Sequence, residues 1–599
     1  MENIYAERIN QLRSLGYDAV IVSATDPHSS EYTAPRWKQV EWLSGFTGEA
    51  GDMVVTRDHA GLWTDTRFFI QANMQLKGTG VALHKTRVPE QVLIPDWLAG
   101  KFPETPISVA VDGLCQSVSA VDNLREKLER AYGKEGFKIV DVPDMLSRIW
   151  ADRPEIPHTE INVLDARYPG ESSKERISWL RDAVKKSGCD SIFISALDQI
   201  AWLLNVRASD IDYNPYVISY LLVTRNNVTW IVRNATEVPE LPGVNSVDYG
   251  CLEDVISVNA SDCGRMMVDP SSLNYHVFKM LEGILPEGAI NCAASPVVLR
   301  KALKNKTEIE GLRRAFIEDG VALEKFLYWL ETRVAAGDKI TEWDASKKLS
   351  LLRSVNDNFR GNSFQNISAY GPNAALPHYN TPEENSAVIA RKGFYLIDSG
   401  GHYLYGTTDT TRTVPMASGR WSYSRQDRTD YTLVLKGMID LTLAVFPRGT
   451  AGCHIDSLCR EAMWRGHLNF GHGTGHGIGF YLGVHEGPQD LRQDFRQQSL
   501  FPGMVTSNEP GLYREGRHGI RHENVVLCCE DGSNEFGDWL RFETLTCCHI
   551  DTSVVNWDLL TKEERKWLKS YNRKVYKTLK DKLEPEVARW LRKKCCRCF

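Results

Sequence analysis

FYLIDSGGHYLYGTTDTTRTV, Phe394 to Val414, sets an aspartate at the end of an apolar run and a second aspartate eleven residues later. A run such as FYLI predicts a buried strand, where an ionised carboxylate is costly unless it is paired, exposed or bound to a cation. Ser399, Gly400 and Gly401 break that strand, and the Thr/Val alternation that follows predicts a returning one. With the hairpin centred near Tyr403 and Leu404, Asp398 and Asp409 stand opposite each other, where cross-strand Cβ atoms lie roughly 4.5–5.5 Å apart. Such a pair repels unless a cation lies between its members. A turn acid plus an unrelated surface acid is the commoner meaning of an isolated Asp pair, so the reading depends on whether the chain supplies further ligands.

Three segments supply them. NFGHGTGHGIGFYLGVHEGP, Asn469 to Pro488, offers His472, His476 and His485 among glycines that let the backbone approach a ligand closely. A single histidine in such a loop is more often a hydrogen-bonding turn residue. MVTSNEPG delivers Glu509 just before a Pro-Gly turn, and GIRHENVVLC delivers Glu523 into an apolar strand. Asp398, Asp409, His476, Glu509 and Glu523 together make four carboxylates and one imidazole. That set is hard and oxygen-rich, and suits two divalent ions bridged by shared carboxylates at roughly 3.5–4 Å. Mn²⁺ is the expected ion, with Zn²⁺ or Co²⁺ as alternatives; cysteine does not contribute. A single ion would leave excess negative charge.

At 599 residues the chain is too long for one core. A net charge of −6 gives no general attraction to nucleic acid, and no such partner is expected. The opening MENIYAERINQLRSLG has helical periodicity without an apolar h-region, and no apolar stretch approaches the roughly 18 residues of a membrane span. The fourteen cysteines are scattered or adjacent, not in spaced C-x-x-C pairs. Reduced thiols and a cytoplasmic location are the expectation.

GYDAVIVSATD, Gly16 to Asp26, echoes GCDSIFISALD, Gly188 to Asp198, and each is followed by a Trp-Leu pair, Trp42-Leu43 and Trp202-Leu203. Both continue into apolar strands, which predicts two copies of one α/β domain. The proline-bearing linker ADRPEIPHTE, Ala151 to Glu160, marks the first boundary, and a long helical pattern starting at Lys306 marks the second. The expected division is 1–153, 154–305 and 306–599, the last ending in a charged helical tail.

The ordered motifs LIDSG, TTDTTR, GTGHGIG, NEPG and IRHENV resemble those of the pita-bread metallopeptidases. HSSEYTAP, WLSGFTGEAG, LWTDTRFF, ALDQIAWLLN and GPNAALPHY narrow the resemblance to the cytosolic, three-domain type of X-prolyl aminopeptidase, from about residue 6 to about 590. The resemblance implies an α/β (α+β) chain, two creatinase-N-like α/β domains followed by a pita-bread catalytic domain. It implies hydrolysis of the bond between an N-terminal residue and a following proline, by a water bridging two metal ions, on peptides with proline second, in a homodimer. By the same resemblance Asp398 belongs to one metal, Asp409 and Glu523 bridge, and His476 and Glu509 complete the other. Glu509 also handles the water proton, while His378 in LPHYN and His485 in VHEGP contact substrate and the developing oxyanion. His522 departs from the family's usual apolar residue, and alternation points it away from the metals. Arg521 is either a partner of a carboxylate ligand or a surface arginine.

The competing readings are a prolidase-like dipeptidase and a catalytically dead pita-bread binding protein. Separately, RWLRKKCCRCF sets three cysteines beside Arg592, Lys593 and Lys594, with CRCF as an imperfect prenylation box. It admits lipid-mediated membrane association as an alternative to an unmodified tail.

Overall fold

The computed structural model describes residues 3–103, 106–417, 419 and 422–596. The chain divides into two compact units, Met1–Ala166 with Glu171–Val298, and Arg167–Gly170 with Leu299–Phe599.

The first unit holds both copies of the repeat. Strands β1 (Ala19–Ser23), β2 (Asp52–Thr56), β3 (Ala60–Thr64) and β4 (Ala82–Lys85) precede helix α1 (Ile94–Lys101), β5 (Ile107–Val111), α2 (Val118–Tyr132) and β6 (Phe137–Asp141). They form one sheet in the order β4-β3-β2-β1-β5-β6. The second sheet consists of β7 (Ser191–Ile194), β8 (Ser219–Val223), β9 (Val228–Val232), β10 (Asn245–Asp248), β11 (Met266–Val268) and β12 (Ile290–Cys292), ordered β10-β9-β8-β7-β11-β12. The sheets share their order and their pattern: the first strand pairs antiparallel with the second and parallel with the fifth in both. The two echo segments occupy β1 and β7, each entered through a glycine at positive φ, Gly16 at 82° and Gly188 at 72°. Only glycine takes that conformation without strain, which accounts for the glycine that begins both segments.

In the second unit, helix α3 (Lys306–Ala336) begins at an Asn305–Glu308 capping box and ends at Gly337 in the left-handed region. Helix α4 (Glu342–Ser354) follows. Together they cover a three-stranded sheet of β13 (Ile367–Tyr370), β14 (Phe394–Ser399) and β15 (Thr410–Pro415), through a core that includes Phe326, Leu330, Leu349, Tyr395 and Ile397. After α5 (Arg425–Thr442), a six-stranded sheet is built from β16 (Val445–Pro447), β17 (Gly475–Gly477), β18 (Glu486–Leu491), β19 (Val505–Asn508), and beyond the hairpin β20 (Gly511–Arg514) and β21 (His518–Arg521), from β22 (Asn524–Asn534) and β23 (Gly537–Thr544). Its order is β16-β23-β22-β19-β17-β18. Helix α6 (Gly452–Trp464) packs behind it through Ile455 and Cys459.

The helical tail forms α7 (Lys562–Leu579) and α8 (Pro585–Cys596), whose buried Leu568, Val575, Leu591 and Cys595 join the core around α5. The tail presents only part of its set of cations and thiols: Arg592, Lys593 and Cys596 are exposed, whereas Lys594 and Cys595 are not. Lys594 reaches inward to Glu331 at 2.6 Å and Asp551 at 2.8 Å, and Cys595 is buried, so neither is available to a membrane. Arg597, Cys598 and Phe599, where most of the prenylation box falls, lie outside the described residues. No disulfide links the described cysteines, and no described helix is long and apolar enough to cross a membrane.

A buried ion pair ties the two covering helices to the end of β14. Arg353 Nε lies 2.7 Å from Asp319, Arg353 Nη2 donates to Ser399 Oγ at 3.0 Å, and the Tyr403 hydroxyl donates to the same Asp319 at 2.9 Å. Arg353→Met is expected to destabilise this unit by about 3–5 kcal/mol, because it strands a buried carboxylate. Adding Asp319→Leu removes the stranded charge and should recover most of the loss. Calorimetric melting of the single and double variants checks this; an unshifted transition in the single variant contradicts it.

Candidate metal centre

Strands β14 and β15 pair antiparallel, with Asp398 opposite Thr411 and Ser399 opposite Thr410. This corrects the register expected from sequence, which set Asp398 opposite Asp409. The inner ladder pairs Tyr403 with Gly406, so the turn is the two residues Leu404 and Tyr405, and that short connection fixes the register. Asp409 precedes Thr411 by two residues and still feels Asp398, whose charge helps to raise its pKa.

The other acids arrive at strand ends. Glu509 follows β19, its amide donating to Thr474 O at 2.8 Å, and Glu523 sits between β21 and β22, its amide donating to Thr411 O at 3.1 Å. His476 lies in the middle of β17, which can approach β19 because position 475 is glycine: a Cβ there would fall 1.9 Å from Ser507 O. His476 Nε2 lies 3.2 Å from Glu509 Oε1 and 3.5 Å from Asp409 Oδ2. Asp409, His476 and Glu523 each offer a ligand atom within 4.8 Å of the others.

The side chains around the acids hold them. Arg521 is buried and donates from Nη2 to Asp398 Oδ2 at 2.5 Å, from Nη1 to the Tyr513 hydroxyl at 2.7 Å and from Nε to Thr411 Oγ1 at 3.2 Å. Thr411 in turn donates to Glu523 Oε2 at 2.9 Å. Arg521 is thus a buried partner of the Asp398 carboxylate and not a surface arginine. Ser507 Oγ donates to Glu509 Oε1 at 3.1 Å and accepts from the His476 amide at 2.9 Å.

Burial and the neighbouring acids act against several charges. Burial above all pushes Asp409 up to about 6, with Asp398 and Glu509 adding to the shift. It raises Glu523 well above the carboxylate range, again helped by Asp409, Asp398 and Glu509. Burial would raise Glu509 too, but His476, His472 and Arg521 outweigh it and hold the group at about 2. For His476 burial is opposed and overcome by its hydrogen bonds to Asp409 and Glu509, so the imidazole is raised well above its ordinary value.

His485 packs its ring edge-on against His476, centroids 4.2 Å apart at 87°. His378 lies in the turn after the one-turn helix Gly371–Ala375, partly exposed. That turn is anchored by Glu342, a residue the motifs do not single out: it accepts from the Tyr370 amide at 2.5 Å, the Tyr379 hydroxyl at 2.9 Å and Asn373 Nδ2 at 3.0 Å. Sequence also gives no separate sign of Tyr513, which joins Arg521 to His472 Nε2 at 2.8 Å. His522 packs away from the acids, its ring edge-on to Tyr431 at 4.4 Å, and burial lowers it to about 3.

The donors fit divalent cations. Asp398 Oδ1 and Glu523 Oε1 are buried without a hydrogen-bond partner, on the two carboxylates that flank Thr411. A cation would satisfy both oxygens and relieve the repulsion that protonation relieves in its absence. A second buried cluster, Glu324, Cys548 and His549, does not fit: both Glu324 oxygens are taken by His549, through its amide and Nδ1, each at 2.7 Å.

The raised carboxyl values carry a sign. A group whose folded pKa exceeds its unfolded one stabilises the fold while protonated and loses that contribution as pH rises through the folded value. The metal-free protein is therefore expected to lose stability as pH climbs through about 6 at Asp409. Cation binding must displace these protons, so calorimetric Mn²⁺ titration in buffers of different ionisation enthalpy should release more protons at about pH 5.5 than at about pH 8. Equal release at both would contradict the assignment.

The chain is similar to known proteins along nearly its whole length. Residues 310–530 match metallopeptidase family M24, residues 538–598 match the C-terminal region of that family, and residues 7–149 and 152–308 each match the creatinase/prolidase N-terminal domain. A probable Xaa-Pro aminopeptidase P of Laccaria bicolor is 36% identical over 98% of this chain and 93% of its own length. One of Pyricularia oryzae is 37% identical over 95% of each chain. An X-prolyl aminopeptidase of Caenorhabditis elegans, described as a cytosolic enzyme with a di-nuclear active site, superposes with a TM-score of 0.92 at 34% identity over 99% of both chains. A Bacillus anthracis Xaa-Pro dipeptidase shares the fold over 63% of this chain, at 22% identity and a TM-score of 0.51. With end-to-end relatives sharing more than a third of its residues, the chain belongs to the aminopeptidase P family of M24 metallopeptidases.

Proposed function

We propose that the enzyme removes the N-terminal residue from peptides whose second residue is proline, using two divalent ions. The observation that carries this reading is the convergence of Asp409, His476 and Glu523 within 4.8 Å, in a chain matched from end to end by Xaa-Pro aminopeptidases. Asp398 would hold one ion, His476 and Glu509 the other, and Asp409 and Glu523 both. When bound, such a pair lowers the pKa of water and polarises a carbonyl. The oxygen-rich set favours Mn²⁺. The divisions 1–153, 154–305 and 306–599, a homodimer and a cytosolic setting complete the reading; the Caenorhabditis elegans relative supports the last.

An Xaa-Pro bond is a tertiary amide with no N–H, so the site must work on the carbonyl and on the departing proline nitrogen. Glu509 is held ionised at about 2, with Ser507 donating to one oxygen. It takes the proton of the attacking water and passes it to the proline nitrogen. His485, fixed edge-on to His476, and His378, on the Glu342-anchored turn, donate to the tetrahedral oxygen. Any lipid on the tail has Cys596 or later residues as its site, since Cys595 is buried.

The test compares Xaa-Pro-Pro, Xaa-Pro and Xaa-Ala-Pro substrates. Release of the first residue from the tripeptide with proline second, and little from Xaa-Ala-Pro, is expected. Cleavage of dipeptides alone would favour a prolidase, and no cleavage by metal-loaded protein would favour a binding protein. His485→Ala should lower kcat by about a hundredfold while metal content stays unchanged, because it removes transition-state support without removing a ligand.

A further inference from the structure

The first α/β domain contains a cavity of about 360 Å³ made only of residues between Ile21 and Lys127, and the peptidase chemistry makes no use of it. It opens where an apolar sheet face gives out. Ser23, Asp52 and Trp63 stand in register across β1, β2 and β3, so their side chains emerge on one face. Trp63 and Ile21 on that face belong to the apolar cluster beneath α1 and α2. Asp52 puts a carboxyl into the same row, at the cavity.

Asp52 is set there without a cation. Its polar neighbour is the Ser23 hydroxyl, which also accepts a hydrogen bond from Gln116 Nε2. No ion pair to Asp52 occurs among the described residues. The other acid of the lining, Asp65, is already matched by Arg67 at 2.8 Å and Arg87 at 4.0 Å. Lys127 of α2 also lines the cavity and has no acidic partner among the described residues. Ile94 of α1, Leu124 of α2 and Trp63 supply apolar surface in the same lining. Beside the Asp65–Arg87 pair, the cavity thus offers one acid and one ammonium without an ion-pair partner among the described residues, together with an apolar wall, at the small end of the roughly 300–1,000 Å³ typical of small-molecule sites.

We propose that this cavity is a second, non-catalytic recognition site for a small zwitterion with an apolar side chain, a free amino acid or a dipeptide. The ligand's ammonium meets Asp52, its carboxylate meets Lys127, and its side chain lies against Trp63, Ile94 and Leu124. A ligand of either charge alone leaves one protein group unmatched, which gives the site its preference. The inference stands on the first domain alone and does not depend on the activity of the metal centre.

Isothermal titration of full-length, metal-loaded protein with L-leucine and with Leu-Leu tests it. Saturable binding is expected, and whichever probe binds more tightly identifies the source of the zwitterion. Asp52→Asn and Lys127→Met should each weaken binding about tenfold or more, the loss of one charge-assisted contact. Leucine amide, which lacks the carboxylate, should bind wild type as weakly as leucine binds Lys127→Met. His485→Ala should bind normally, and cleavage of Xaa-Pro-Pro should be unchanged in both cavity variants. Lys127 lies on a partly exposed helix face, so its variant reports even if Asp52→Asn folds poorly. No heat with either probe at millimolar concentration, binding unchanged in both cavity variants, or binding lost in His485→Ala would each overturn the proposal.

Discussion

Repulsion among four carboxylates is the constraint that the catalytic unit is arranged around. Asp398, Asp409, Glu509 and Glu523 come from separate strand ends and are brought together in a largely buried volume, where like charges interact strongly. Arg521 offsets one of them directly through Asp398, and Thr411 ties Glu523 to the same arginine. What remains is unbalanced, as the upward shifts of Asp409 and Glu523 record. Either protons or divalent cations must make up the difference, and the unpartnered oxygens of Asp398 and Glu523 favour cations.

Holding the acids in place falls to groups that do not neutralise them. Arg412 is fully buried and spends its donors on Thr411 O, Asn524 Oδ1, Cys548 O, His549 O and the Tyr571 hydroxyl, as well as on Glu523 O. It thereby locks the Asp409 strand to the Glu523 strand and both to helix α7. Arg353 and Asp319 hold the end of β14 in the same way. The tail helices belong to this framework: Lys594 closes on Asp551, which burial alone would raise but which Lys594 brings well below the usual carboxylate range.

Features encoded locally were legible in the sequence. An apolar run ending in an acid marks a strand end, glycines flanking His476 mark a close approach, and the long helical pattern from Lys306 marks a domain start. The repeat was legible because β1 and β7 each pair on both sides, which demands the same apolar run after the same positive-φ glycine. Features set by distant partners were not. The turn at Leu404-Tyr405 carries no Asn-Gly signature, so the hairpin register could be settled only by the ladder. Glu342 reads as an ordinary acid in the first turn of a helix capped by Thr341, yet it anchors the turn that carries His378. Lys594 reads as part of a basic tail because Glu331 and Asp551 lie far from it in sequence.

The proposed pairing of these carboxylates with two cations, which Asp409 and Glu523 would share, is open to direct measurement. Electron paramagnetic resonance on full-length protein titrated with Mn²⁺ measures this most directly, since ions about 3.5–4 Å apart are exchange-coupled. Saturation at about two ions per chain, with the broadened signal of a coupled pair, is expected. An isolated six-line signal saturating at about one ion per chain would contradict it.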